Sequence, residues 1–211
     1  MKKTEYEKVK DFTYLEYCDY LQEKYGIGLA DYMTVNYVKN NKVSRTGEGL
    51  IAHHKMEDRA IMLSTKEYAK ANPYEWQLKE NIVYCDYLEH LLLHVLICKY
   101  PSIHKNLFEK VGFGGVVNYI VPELNDLYSG WETSQAWRQK CHALVKDDRD
   151  VYMLILKQFM EVEKKDRFFN VKMLLSSFNA GFGKWDKKNN LDIYKEILVL
   201  ARKEGLKMPH F

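Results

Sequence analysis

Apolar and aromatic residues recur at three- and four-residue steps through "EYEKVKDFTYLEYCDYLQEKYG" (5–26), the period of one helix face, and Gly26 follows as a C-cap. Gly47 and Gly49 punctuate the approach to "LIAHH", a short apolar segment that reads as a strand ending at His53 and His54. "STKEYAKAN" (64–72) predicts a short helix opened by Ser64 or Thr65 and ended before Pro73. "NIVYCD" (81–86) alternates and is β-prone, so a second short strand is expected there. Next comes "DYLEHLLLHVLICKY" (86–100). Asp86 with Glu89 three residues on forms a capping-box pattern, and Pro101 marks the far end. Residues 102–145 are mixed, and the glycine-rich "VGFGGVVNYIVP" reads as a turn or loop. Beyond 148 the pattern predicts helices over 148–165, 168–180 and 190–204, the last two separated by Gly181 and Gly183.

Composition narrows the class. The 211 residues suffice for a real core, and no low-complexity linker divides them, so one compact unit is expected. A formal charge of +3 is below what would mark nucleic-acid binding unaided. The basic stretches "VKNNKVSR" (38–45) and "GKWDKKNN" (183–190) read first as solvated surface. Cys18, Cys85, Cys98 and Cys141 form no CxxC pair, which argues against a zinc ribbon and suits a reducing compartment. The N-terminal lysines precede no apolar segment, and "LEHLLLHVLI" is too short to span a bilayer, so a cytoplasmic protein without membrane attachment is expected. "VGFGG" lacks the lysine of a phosphate loop and the glycine spacing of a dinucleotide fold.

The chemistry concentrates in the histidines. His90 and His94 are four apart on the capped helix, so both imidazoles share one face. Two neutral imidazoles so placed can bind one transition-metal ion, and His53 or His54 is the natural third ligand. A strand ending at His53–His54, a second strand and the helix would make a β-hairpin packed on a helix, with the metal between them.

This arrangement resembles the HNH nucleases of the ββα-metal fold. Their motif is a His-His or Asp-His pair, then an asparagine, then ligands on a helix. Asn81 lies nine residues before His90, with His94 four later, and "ENIVYCDYLEHLLLHVLI" (80–97) is similar to phage-type members. By that resemblance His53, His90 and His94 are the metal ligands and His54 is the general base that activates water. Asn81 would orient the base through its side-chain amide or the backbone around it. The resemblance implies one divalent ion (zinc, nickel, manganese or magnesium) and a DNA substrate. Phosphodiester hydrolysis suits these residue types, because it needs a water activated by a base near neutral pKa and an ion to stabilise the phosphate and leaving oxygen. The resemblance covers about residues 48–100, and the 27 residues from His54 to Asn81 are longer than in compact members.

The expected fold is therefore α+β and mainly helical. A ββα-metal core at 48–100 would lie between an N-terminal helical region (1–47) and a C-terminal, mainly helical region (101–211), with room for a homodimer. The expected function is a metal-dependent endonuclease. The alternatives are a catalytically silent module of this fold that binds DNA or protein around a structural metal, and a helical regulator with incidental histidines. Arg45 and Lys55 are candidate DNA contacts, with a plain surface arginine the preferred reading of Arg45. Glu57 and Asp58 are near enough to contribute to a metal, though a solvated loop is the simpler reading. His104 and His142 have no partner pattern, and "WETSQAW" (131–137) reads as core rather than a stacking platform.

Overall fold

The structure, a computed structural model, describes residues 1–178 and 190–208. It is α+β and mainly helical, with one two-stranded antiparallel sheet among the described residues. The helix expected over 5–26 is two helices, α1 (Lys3–Val9) and α2 (Tyr14–Tyr25). Thr13 makes the break. Its hydroxyl accepts from the Glu16 amide, and the Glu16 carboxylate accepts from the Thr13 amide, so a capping box starts a new helix. Gly26 closes α2 with a φ of 83°, which a glycine adopts without strain.

Strand β1 (Ile51–His54) pairs with β2 (Ile82–Cys85), placing His53 opposite Val83 and His54 opposite Ile82. Gly49 starts this hairpin from a tight turn (φ 84°). A side chain there would lie 2.8 Å from the Lys140 carbonyl, so the turn is pressed against a C-terminal helix. Between the strands, α3 (Lys66–Lys70) and short 3-10 turns fill the excursion. The excursion is ordered and packed, with Leu63, Ala69 and Gln77 fully buried.

Helix α4 (Tyr87–Lys99) follows β2 directly. Its sequence is apolar on nearly every face, which suits a helix surrounded by others. Ten of its thirteen residues are buried, and it packs against the hairpin, α2 and the C-terminal helices. Asp86 accepts from the Leu88 and Glu89 amides at 2.8 Å each, and Glu89 returns the bond to the Asp86 amide at 2.7 Å.

The glycine-rich segment is helical, not a loop. Phe113–Gly115 runs through a π-helical turn, Val116–Ile120, into α5 (Val121–Tyr128). Its alternation of glycine and β-branched residues masks any helical period, and packing on α4 decides its form. Then come α6 (Ala136–Val145), α7 (Arg149–Glu163), a 3-10 turn at Val171–Leu175 and α8 (Leu191–Lys203). The helix expected over 168–180 is thus only that turn as far as Leu175, and its end, with Gly181, Gly183 and most of the basic stretch 183–190, lies outside the described residues. Trp137 of "WETSQAW" is exposed rather than in the core. One apolar core runs from α1 through α4 to α8, so the three sequence regions share a single interior. Among the described residues, no helix is long and apolar enough to cross a membrane.

The capping box places α4, and α4 carries two of the histidines. Asp86→Ala is expected to lower stability by about 1–2 kcal/mol in urea unfolding, and Asp86→Asn to restore most of it. An unchanged midpoint for the alanine variant would show that packing alone positions the helix.

Candidate metal centre

Neighbouring residues of a strand face opposite ways, and β1 uses this to separate its two histidines. His53 turns toward α4, where its ring lies 5.2 Å from that of His90 and 5.1 Å from that of His94, centroid to centroid. The Nε2 atoms of His90 and His94 are 3.2 Å apart. One nitrogen from each of the three residues lies within 4.8 Å of the others, a grouping that can hold a metal ion. With metal–nitrogen bonds of about 2.0–2.1 Å, ligand nitrogens around one ion are necessarily this close.

Hydrogen bonds behind the rings decide which nitrogens face inward. The His94 Nδ1–H donates to the Gly112 carbonyl at 3.1 Å, leaving Nε2 as a lone pair toward His90. The Tyr14 hydroxyl donates to the Lys55 carbonyl (3.1 Å) and accepts from His53 Nε2–H (2.8 Å). That leaves His53 Nδ1 as a lone pair, fully buried and without a hydrogen-bond partner. A buried acceptor with nothing to accept from is costly, and a cation beside it removes the cost.

Glu57 completes the cluster. Its carboxylate is 3.4 Å from His94 Nε2 and 3.6 Å from His53 Nδ1, with the other oxygen 3.7 Å from His54 Nδ1. The solvated-loop reading of Glu57 is therefore corrected. A tight turn after β1, with the Glu57 amide donating to the His54 carbonyl at 3.0 Å, folds it back onto the histidines. Burial pushes His53 down to about 3 against the pull of Glu57, and burial likewise lowers His90 and His94. Burial alone would raise Glu57, but the imidazoles of His53, His54 and His94 outweigh it and hold the carboxyl below its usual range. Both the orphaned His53 nitrogen and the carboxyl group beside it fit a bound cation.

His54 stays outside the three-nitrogen group. It packs against Tyr32 at 4.3 Å between ring centroids, and its Nε2 meets Gln77 Oε1 at 3.1 Å. Gln77 Nε2 donates to the Leu63 carbonyl at 3.1 Å, which turns the amide oxygen toward His54. His54 Nε2–H therefore donates to Gln77, and Nδ1 faces Glu57.

Asn81 makes no side-chain contact with His54. Its amide donates to the Glu75 carbonyl at 2.7 Å, and its backbone carbonyl accepts from Lys55 at 2.8 Å, one residue beyond His54. It shapes the backbone next to His54, while Gln77 holds the His54 ring. Gln77 has no local signal in the sequence, since it sits 23 residues from its partner. Tyr14, 39 residues away, has none either.

Arg45 and Lys55 do not offer free charge. Arg45 is paired with Glu48, bonded to the Tyr25 carbonyl and stacked on Tyr84, and Lys55 is paired with Asp19. Asp58 is buried outside the cluster, and burial raises its carboxyl above the usual range. His142 is also buried, 2.6 Å from Glu123 on a separate face of the core, whereas His104 is exposed.

Comparison with known protein families, with curated proteins and with solved structures finds no match to this chain.

Zinc or manganese titrated into the metal-free protein is expected to bind at one ion per chain. His90→Ala and His94→Ala should each weaken binding by about 100-fold or more, and Tyr14→Phe, which removes only the support behind His53, by about 10-fold. Isothermal titration calorimetry reads all three. Equal affinity in wild type and His94→Ala would remove the cluster as a metal centre.

Proposed function

We propose that this chain is a metal-dependent endonuclease of the HNH type, hydrolysing phosphodiester bonds in DNA. The observation that carries the reading is the division between the adjacent histidines. His53 joins His90 and His94, while His54 is held off that group by Gln77 with its Nδ1 turned toward Glu57. A purely structural metal site needs the ligands and gains nothing from a buried imidazole kept beside them in one tautomer.

In this reading His53, His90 and His94 hold one divalent ion, with Glu57 neutralising part of its charge. The bound ion supplies Lewis-acid stabilisation of the phosphate and the leaving 3′ oxygen. His54 accepts the proton of the attacking water at Nδ1. Its other nitrogen remains protonated and donates to Gln77, so the imidazolium formed in the step is oriented and stabilised. Gln77 takes the part that the sequence resemblance gives to the asparagine. Nitrogen ligands with one carboxylate favour zinc, nickel or manganese, with magnesium as an alternative working ion. The antiparallel hairpin leading into a capped helix, with the ligands at 53, 90 and 94, supports the same family reading.

His54→Ala is expected to reduce nicking of supercoiled plasmid by about 1,000-fold while metal affinity stays within a few-fold of wild type. Gln77→Ala should cost about 10- to 100-fold in kcat with little change in KM. Undiminished nicking by His54→Ala would sink the mechanism. A protein that binds one ion yet cuts neither plasmid nor single-stranded DNA would instead be a structural metal module.

A further inference from the structure

The histidine cluster lines a cavity. Its volume is about 520 Å³, and its lining includes His54, Glu57, His90 and His94. That size falls within the roughly 300–1,000 Å³ of sites that enclose small organic groups. A base that leaves the stack can enter such a space, whereas a paired and stacked one cannot.

The remaining walls suit a base. Tyr119, 55% exposed, supplies an accessible aromatic ring, the buried Tyr32 packs against His54 in the wall, and Ile61 and Met62 add apolar surface. Asn118, beside Tyr119 on the π-helical turn, brings an amide with one acceptor and two donors, the groups that read a base edge. π-helical turns recur at functional sites because they re-aim side chains from an otherwise regular helix. Glycines keep the wall thin. A side chain at Gly115 would lie 2.3 Å from the His94 ring, and one at Gly114 would meet only the Asn118 amide, at 3.6 Å.

We infer that this cavity binds one unpaired nucleotide of a DNA strand, stacking its base on Tyr119 and leaving the adjoining phosphate at the histidine cluster. The inference rests on the phosphodiester reading above and narrows it to substrates in which a nucleotide leaves the stack. Extruded or single-stranded bases enter such pockets at the least cost in pairing and stacking.

The test is equilibrium binding to the full chain carrying His54→Ala, loaded with manganese so that the DNA survives. Three fluorescein-labelled probes share one sequence: a 20-nucleotide single strand, the matching duplex, and that duplex with one unpaired nucleotide. The single strand and the bulged duplex are expected to bind at least 10-fold more tightly than the duplex. Adding Tyr119→Ala should remove about 10-fold of that preference, the scale of one base–aromatic stack. Asn118→Ala, also at the surface, gives a second variant should the first fail to fold. The inference is overturned if the duplex binds as tightly as the other probes, if neither variant changes the ratio, or if no probe binds. Plasmid nicking by wild type separates the two readings. Nicking without a preference for unpaired nucleotides keeps the nuclease and removes the pocket, while a Tyr119-dependent preference without cleavage keeps the pocket and removes the nuclease.

Discussion

Three imidazole nitrogens and one carboxylate converge in a space that excludes most water, and the rest of the site follows from what that enclosure demands. Burial favours neutral imidazoles, and Glu57 sets a carboxyl group beside them. Polar atoms brought together in this way are costly to bury unless each has a partner. Each group is therefore fixed from behind. Tyr14 fixes His53, the Gly112 carbonyl fixes His94, and the turn after β1 fixes Glu57.

The fold supplies these supports from distant parts of the chain. Helix α2 contributes Tyr14, the hairpin contributes His53 and His54, and the long excursion between the strands contributes Glu57 and Gln77. Helix α4 carries His90 and His94, and the glycine-rich segment closes over them. Helix α4 is the common reference. It is apolar enough to be buried among the other elements, and its N-terminus is held by a reciprocal pair of carboxylate-to-amide bonds. Replacing Gly115 by any larger residue would put a Cβ 2.3 Å from the His94 ring, so the wall of the cavity and the histidine cluster share one packing constraint.

The two adjacent histidines illustrate how a strand converts sequence adjacency into chemical difference. One residue along β1 reverses the side-chain direction, so His53 reaches the ligand cluster and His54 does not. The turn that follows brings Glu57 back to within reach of both. The two imidazoles therefore share one carboxylate while remaining distinct groups.

Much of this centre was legible without coordinates. The i, i+4 spacing of His90 and His94, the Asp86–Glu89 capping box, and the two short β-prone segments predicted the hairpin-then-helix order and paired His90 and His94 with His53 or His54, because helical period and capping are local properties of the chain. Three features were decided only in three dimensions. Glu57 read as solvated because nothing local distinguishes it from Asp58, and only the turn geometry puts one inside and the other away. Asn81 has the spacing of a base-orienting residue, yet its amide closes the excursion and Gln77 takes the histidine, since which amide reaches His54 depends on how the 26 intervening residues fold. The glycine-rich segment read as a loop, but α4 draws it into a helical wall, because burial of its β-branched residues outweighs the weak helix preference of glycine. The sequence determined the donor atoms by residue type and period. The tertiary structure decided their protonation, their partners and their enclosure, because each depends on contacts between segments far apart in the chain.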